Sequence, residues 1–337
     1  MKRLFYLGLM LAGILSLSSF LISLYRSLRL YILSPQPGST LIYHFSLYIP
    51  DNRNSFFQGI IRGAELAAAE LESAVSIHSI DPAKNELEIA AFTGVDGVIV
   101  CPYLDDALAR RQLEKLRDYQ IPAALINHNL PSDQPFPFIG INPFEMGQRI
   151  GLILQEDSQA LLVLRDSFTP QTYVPLEKIS LAVVYSEKAP GIYAERELVE
   201  MGISASLGEK LSGPIMSYRT NLNPLDAEAL LVNIFRGGAE AAYGYAINTI
   251  VFTDPEDTIA AAQTLVDLNL VGAIQIIGFG ADPGVMENLR KGIISASVVI
   301  NSERIGYEAV YSLAALRTTG YTSASIDTGI NIITGGK

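Results

Sequence analysis

The sequence is poor in the residues that most often carry metal and redox chemistry. It has one cysteine, Cys101, and three histidines among 337 residues. A single cysteine excludes an intrachain disulfide, and its position far from the N-terminus excludes a lipid-attachment cysteine behind the first hydrophobic run. No histidine has a second ligand at the spacing of a metal site. We therefore predict no metal and no cofactor.

Basic residues are scarce as well, and so are the signatures of catalysis. The chain has 24 Lys and Arg against 35 Asp and Glu, whereas nucleic-acid binding needs clustered basic residues facing phosphates. There is no glycine-rich phosphate loop with its lysine and no Gly-x-Ser-x-Gly elbow. Gly278, Gly280 and Gly284 lack the spacing of a dinucleotide fingerprint. We predict that the protein binds no nucleic acid, has no catalytic residues and is not an enzyme.

The N-terminus carries the longest apolar run. Leu4 to Tyr25 form an uncharged stretch of 22 residues behind Lys2 and Arg3, and a membrane-spanning helix needs about 20. Because no small-x-small cleavage site follows, we predict an uncleaved signal-anchor over residues 1–33 and a linker over 34–40. The positive-inside rule then places the body on the extracytoplasmic side. A cleaved signal peptide and a core helix are the alternatives.

The rest of the chain alternates short apolar runs with amphipathic stretches, which indicates parallel sheets covered by helices. The predicted strands fall at 41–48, 75–79, 97–101, 123–127 and 138–141, and then at 179–185, 215–218, 249–252, 275–278 and 295–299. An irregular segment over 155–178 separates the two sets. This arrangement favours two α/β lobes over a single eight-stranded barrel.

Ligands of open parallel sheets bind outside the carboxyl ends of the strands. Asn127, Asn142 and Asp254 each end a predicted strand and can hydrogen-bond a hydroxyl or an amide, although the same residue types also cap loops. His128 lies at a strand end too, where a structural histidine is the alternative. Asp282 suits the positive end of a helix. These ends favour recognition over proton transfer.

Two aromatic residues and one arginine complete the candidates. Phe56 and Phe57 begin a predicted helix, where a ring pair can wall a pocket, but Phe57 is also in phase with the core positions of that helix. Arg196 lies in an early helical turn, where a planar guanidinium can bind two ligand oxygens. A solvated surface arginine is the alternative.

Several segments together resemble the type I periplasmic binding proteins, which include the ribose- and galactose-binding receptors and share the fold of lactose-repressor-type ligand domains. The segments are Asn54–Ala64, Gly94–Pro102, Gly278–Pro283 and Gly292–Ser297, and the similarity spans almost all of residues 41–318. The resemblance implies two Rossmann-like lobes joined by a three-segment hinge that closes on a ligand. The first lobe would comprise 41–141 plus 300–326, and the second 142–299 plus 327–337.

The resemblance also implies roles for the candidates. Phe56 and Phe57 match stacking aromatics of the family, Arg196 its ligand-binding arginine, and Phe279 the aromatic of the second lobe. Two departures stand out: Asn127 and His128 replace an acid and an arginine, and Gly280 replaces an acid, with Asp282 two residues on. Charged hydrogen bonds are about twice as strong as neutral ones, so the departures weaken the case for a simple aldose. The predicted ligand-binding set is Phe56, Phe57, Asn127, His128, Asn142, Arg196, Asp254, Phe279 and Asp282.

The function implied is capture of a small polar molecule, with a sugar or polyol as the first hypothesis, for the permease subunits of an ABC importer. The alternative is a membrane-tethered sensor that signals to a separate histidine kinase. A DNA-binding repressor is disfavoured, because a membrane segment stands where the DNA-binding headpiece would be.

Overall fold

The fold contains two similar parallel sheets. A computed structural model describes residues 42–50, 55–80, 86–102, 106–130, 133–166, 178–221, 223, 225–234 and 247–335. The first sheet has the order β11-β5-β4-β3-β1-β2, and all its strands are parallel. Its strands are β1 (His44–Ile49), β2 (Ala74–Ser79), β3 (Gly97–Val100), β4 (Ala123–Ile126), β5 (Phe138–Gly140) and β11 (Ser325–Asp327).

The second sheet repeats this order as β12-β10-β9-β8-β6-β7, with β12 antiparallel to β10. Its strands are β6 (Leu181–Ser186), β7 (Met216–Thr220), β8 (Thr249–Phe252), β9 (Gln275–Phe279), β10 (Ala296–Ile300) and β12 (Ile330–Thr334). Strands β3, β4, β6, β8 and β9 are buried at every position. Helices on both faces of a parallel sheet account for such continuous apolar runs.

Helices connect the strands and cover the sheets. In chain order they are α1 (Ser55–Glu70), α2 (Glu86–Ala90), α3 (Asp106–Asp118), α4 (Pro143–Asp166), α5 (Pro190–Ala194), α6 (Arg196–Leu207), α7 (Asp226–Asn233), α8 (Pro255–Asp267), α9 (Pro283–Arg290) and α10 (Ser302–Thr319).

Two helix pairs make the most extensive helix contacts, α1 with α10 and α4 with α6. Glycines let their backbones approach closely. A Cβ atom on Gly306 would lie 1.9 Å from the carbonyl oxygen of Ile60, and one on Gly202 would lie 2.1 Å from that of Phe144. Thus α10, late in the chain, packs on α1 beside the first sheet, and α4 packs on α6 beside the second.

The prediction of two α/β lobes is confirmed, because two separate six-stranded sheets form instead of one barrel. Each of the ten predicted strands overlaps an observed strand, whereas β11 and β12 were not predicted. The prediction of an irregular segment over 155–178 was wrong for 155–166, where α4 continues to Asp166.

Other predictions are not tested by the fold. The exact domain boundaries stay a prediction, although the chain passes from the first sheet to the second between Asp327 and Ile330. The predicted anchor and linker, 1–33 and 34–40, lie outside the described residues. Within the described ranges, no helix has both the length and the apolar character to cross a membrane.

Candidate ligand-binding cleft

A cavity of about 300 Å³ lies between the carboxyl ends of the two sheets. Parallel strands send their following loops and helix starts to one edge of a sheet, so residues distant in sequence meet there. Its lining residues are Ser55, Phe56, Phe57, Asn127, Lys188, Ala189, Ile192, Thr253, Asp254, Pro255, Phe279, Gly280, Ala281, Asp282, Pro283, Val299, Ile300 and Ser302. Both sheets therefore contribute to one site.

Aromatic side chains supply the apolar walls of this cavity. Phe56 and Phe57, at the start of α1, form an edge-to-face pair with ring centroids 5.3 Å apart and planes at 75°. Phe279, at the end of β9, lines the cavity from the second sheet and is buried. Rigid ring faces on both sides can cover an apolar ligand face at low entropy cost.

A carboxylate in a fixed orientation supplies the main polar group. Asp254 caps α8, and its Oδ1 accepts hydrogen bonds from the backbone N–H groups of Glu256 and Asp257 at 3.0 and 3.1 Å. The residue is only 4% exposed. Its orientation is therefore determined by the helix start rather than by a ligand.

Lys188, in the loop after β6, neutralises part of this acidic cluster. Its Nζ lies 2.8 Å from Glu256 Oε2, 3.3 Å from Asp257 Oδ1 and 3.6 Å from Asp254 Oδ1. Thr220 Oγ1 also donates to Asp257 Oδ2. Three carboxylates surround one ammonium group, so the cluster has a net negative charge.

Burial and charge shift the titration of this cluster. Burial raises the pKa of Asp254 above its usual range, against the lowering effect of the hydrogen bond from the Asp257 N–H. Burial alone would lower the pKa of Lys188, but the hydrogen bond to Glu256 and the neighbouring carboxylates outweigh it, and the pKa is raised. Lys188 is therefore charged at neutral pH.

The two sides of the cleft touch at Asn127. This residue follows β4 with a left-handed backbone, φ 62°. A Cβ atom on Gly191, in α5, would lie only 2.3 Å from the carbonyl oxygen of Asn127. Asn127 and Ile192 line both this cavity and a second one. The contact between α5 and the end of β4 thus stands between the two cavities.

The second cavity, of about 350 Å³, lies where the chain passes between the sheets. Asn142 and Asp327 line it and are joined by a hydrogen bond of 3.2 Å from the Asn142 N–H to Asp327 Oδ1. The side chain of Asn142 accepts from the N–H of Glu145 at 3.2 Å, at the start of α4. Asn142 is therefore engaged in the connection between the lobes.

The structure brings six of the nine predicted site residues to the first cavity, and Asn142 to the second. The six are Phe56, Phe57, Asn127, Asp254, Phe279 and Asp282. It brings His128 and Arg196 to neither. His128 is buried, with its Nε2 2.9 Å from Asp106 Oδ1. The Arg196 guanidinium, on the first residue of α6, lies 5.0 Å from the ring centroid of Tyr193 and pairs with Glu197 at 3.5 Å.

Sequence reasoning missed Lys188. A lysine in a loop is ordinarily solvated, and nothing in its local sequence indicates the acids of α8 that surround it. No group of three or more His, Cys, Asp or Glu side chains that could hold a metal ion occurs within the described part of the chain.

Solved structures share this fold. A glucose-galactose binding protein from Geobacillus stearothermophilus, GanP, has a TM-score of 0.70 at 21% identity, covering 87% of this chain and 97% of that one. The Caulobacter myo-inositol binding protein, bound to myo-inositol, has a TM-score of 0.67 at 19% identity, covering 90% and 95%. A carbohydrate transporter solute binding protein from Agrobacterium radiobacter, in complex with D-arabinose, has a TM-score of 0.67 at 17% identity, covering 88% and 95%.

At these identities the likeness establishes the fold alone. A search of curated proteins gives no match. A family model described as a periplasmic binding protein domain matches residues 45–320, which is most of the sequence. The chain therefore belongs to the periplasmic binding protein family.

Proposed function

We propose that this protein is an extracytoplasmic solute-binding protein that captures a neutral sugar or polyol between its two lobes. The observation that carries the proposal is a cavity with aromatic faces from both sheets beside the fixed carboxylate of Asp254. Sugars and cyclic polyols have C–H faces that stack on aromatic rings and hydroxyl groups that donate to carboxylates. The proposed ligand contacts are Phe56, Phe57, Asn127, Asp254, Phe279 and Asp282, with Asn142 at the hinge.

The charges of the cavity favour a neutral ligand over a sugar acid. Asp254 and Asp282 line the cavity, and the cation that lines it, Lys188, is already paired with the carboxylates of α8. A ligand carboxylate would bring a further negative charge next to these acids, and no second cation lines the cavity among the residues that the structure describes. The D-arabinose and myo-inositol named for two similar structures are neutral molecules, which supports the same choice.

Closure of the cleft is the proposed mechanism of capture. The aromatic pair of α1 belongs to one side of the cleft, while Asp254 and Phe279 belong to the other. A ligand that contacts both sides stabilises the closed arrangement, because only that arrangement offers all the contacts together. The proposal includes no chemical reaction, so the protein releases the ligand unchanged.

The proposal extends to the membrane. Residues 1–33 tether the body to the outer side of the membrane, and the ligand passes to permease subunits of an ABC importer. Deletion of the gene should then abolish uptake of the ligand by cells. Normal uptake with loss of a ligand-dependent transcriptional response would instead identify the protein as the sensor partner of a histidine kinase.

A thermal-shift screen tests ligand binding. Glucose, galactose, ribose, D-arabinose and myo-inositol form the panel, with glucuronate as the anionic control. A ligand at 100 times its Kd stabilises the folded protein by about 2.7 kcal/mol. We expect at least one neutral compound to raise the Tm and glucuronate to leave it unchanged. If no neutral compound stabilises the protein, or if glucuronate stabilises it most, the proposed ligand class is wrong.

A further inference from the structure

The exposed aromatic side chains of the described residues lie at one end of the first sheet. Phe92, Tyr119 and Tyr321 are 76%, 56% and 76% exposed. They come shortly before β3, β4 and β11, respectively. All strands of this sheet are parallel, so the segments that precede them meet at its amino edge.

Two aliphatic residues extend this surface. Ile42, 56% exposed, precedes β1, and Ile89, 57% exposed, lies in α2 just ahead of Phe92. The rings of Phe92 and Tyr119 contact each other edge to face, with centroids 5.6 Å apart. We call this surface, formed by Ile42, Ile89, Phe92, Tyr119 and Tyr321, the amino edge. Clustered exposed aromatic residues of this kind mark an interaction surface.

Hydrogen bonds and an ion pair fix the loop that carries Phe92 at the amino edge. Asp96, in the loop before β3, accepts a hydrogen bond of 2.8 Å from the N–H of His44 at the start of β1. Arg317, near the end of α10, donates to the carbonyl oxygen of Asp96 and lies 3.8 Å from its Oδ1. The loop before β3, which carries Phe92, is therefore tied to the sheet and to α10.

The amino edge lies at the end of the sheet opposite the ligand cavity, since that cavity is formed at the carboxyl ends of the strands. Ile42 lies at this edge because it directly precedes β1, the first strand of the sheet in chain order. The apolar run Leu4 to Tyr25 of the predicted anchor is separated from Ile42 by the 16 residues 26–41. Such a segment spans at most about 55 Å when fully extended. The tether therefore keeps this edge within about 55 Å of the bilayer.

The charges around the amino edge indicate whether lipid charge or the apolar membrane interface would attract it. Among the described residues close to it in sequence, the bases include Lys115, Arg117 and Arg317, and the acids include Glu72, Glu88, Asp96 and Asp118. Acids outnumber bases, and Lys115 is paired with Glu88 at 2.6 Å. The described residues therefore give this surface no net attraction to anionic lipids. Exposed Phe and Tyr side chains suit the boundary between headgroups and acyl chains whatever the lipid charge.

We propose that the amino edge rests on the outer surface of the bilayer, with Phe92 and Tyr119 inserted at the level of the headgroups. The proposal rests on the tether included in the proposed function. It adds an orientation for the body before it meets a permease, in which the body stands on the first lobe.

Tryptophan reporters test this orientation, because the chain has no tryptophan of its own. The full chain carrying Phe92→Trp is reconstituted into phosphatidylcholine vesicles, with and without bromine on the acyl chains. Met201→Trp is the matched control, since Met201 is 59% exposed on α6, beside the second sheet. We expect brominated lipid to reduce the emission of Phe92→Trp and to leave that of Met201→Trp unchanged. Thermal melting of both variants verifies that they are folded.

Four other outcomes overturn the proposal. Unquenched emission at position 92 in protein that floats with the vesicles contradicts contact between the amino edge and the bilayer, but is consistent with the tether. Equal quenching at positions 92 and 201 means that no edge is preferred. A blue shift at position 92 that depends on protein concentration, without an effect of bromine, assigns the edge to a second copy of the chain. Protein that does not float with the vesicles contradicts both the bilayer contact and the membrane anchor. The thermal-shift screen still tests ligand binding in that case.

Discussion

Asp254 serves both the stability of α8 and, in the proposed function, the ligand, and two substitutions separate these roles. Asp254→Ala removes the acceptor of the N–H groups of Glu256 and Asp257. Loss of an N-cap costs typically about 1 kcal/mol. For a lobe of this size that corresponds to a Tm lower by about 2–4 °C. Asp254→Asn keeps a capping oxygen, and asparagine caps helices as well as aspartate does.

The pH dependence of Asp254→Asn has a definite sign. Burial raises the pKa of Asp254 in the folded protein, so the stability associated with this group is fully present below the unfolded pKa of about 3.9 and is lost as the pH rises through the folded pKa. Above the folded pKa the wild type has lost it, whereas the asparagine variant has no charge to bury. We expect Asp254→Asn to be at least as stable as the wild type at pH 7, with the difference shrinking toward pH 4.

Binding should respond differently from stability. A carboxylate accepts stronger hydrogen bonds from hydroxyl groups than an amide does, and a loss of about 1.4 kcal/mol weakens affinity about tenfold. We therefore expect Asp254→Asn to keep its Tm but to bind the ligand about tenfold more weakly, as measured by calorimetric titration. Asp267→Asn, at an exposed acid near the end of the same helix, is the control and should change neither quantity.

Two results would refute this reasoning. An Asp254→Asn variant that melts as low as Asp254→Ala would show that the capping contact does not account for the stability. Wild-type affinity in Asp254→Asn would remove the carboxylate from the ligand contacts.

Three further predictions follow from described contacts. Gly306→Ala should lower stability by about 1–3 kcal/mol in urea unfolding, because the new methyl group meets the Ile60 carbonyl; an unchanged midpoint would contradict the close contact of α1 and α10. Cys101 is buried, which raises its pKa to about 12, so iodoacetamide at pH 8 should react slowly with native and rapidly with denatured protein; rapid native labelling would contradict this. Arg196→Ala should leave ligand affinity within about twofold of wild type, and a large loss would place Arg196 in the cleft.

The strands that could be predicted from the sequence are those that form continuous apolar runs. Strand β8, Thr249–Phe252, is fully buried and was predicted with its observed bounds. Strand β11, Ser325–Asp327, has no buried residue and no apolar run, and it is defined only by its pairing with β5 far away in the sequence. Local patterns identify strands that the core requires, and they miss strands that only a distant partner specifies.

The residues of the cleft also divide into those that the sequence predicted and those that it missed. The residue types after the strands indicated Phe56 and Asp254, because parallel topology alone sends those positions to one edge, and the family resemblance added Phe279. The loop after β6 contributes Lys188 and Ala189 to the cavity, while Arg196 lies beyond the short helix α5. The segment after β6 forms two helices instead of one, and this determines which side chain lines the cleft. The number of helices depends on packing rather than on local sequence.

The packing of α10, late in the chain, on α1 has a consequence for the folding of the newly made chain. The α1 helix, near the start of the fold, packs on α10, and the sheet beside it receives β11 from the last described segments. A ribosome delivers residues 302–327 long after β1 to β5 have emerged. The first half thus stays without its partner helix until synthesis is almost complete, a delay compatible with passage through a translocon before folding.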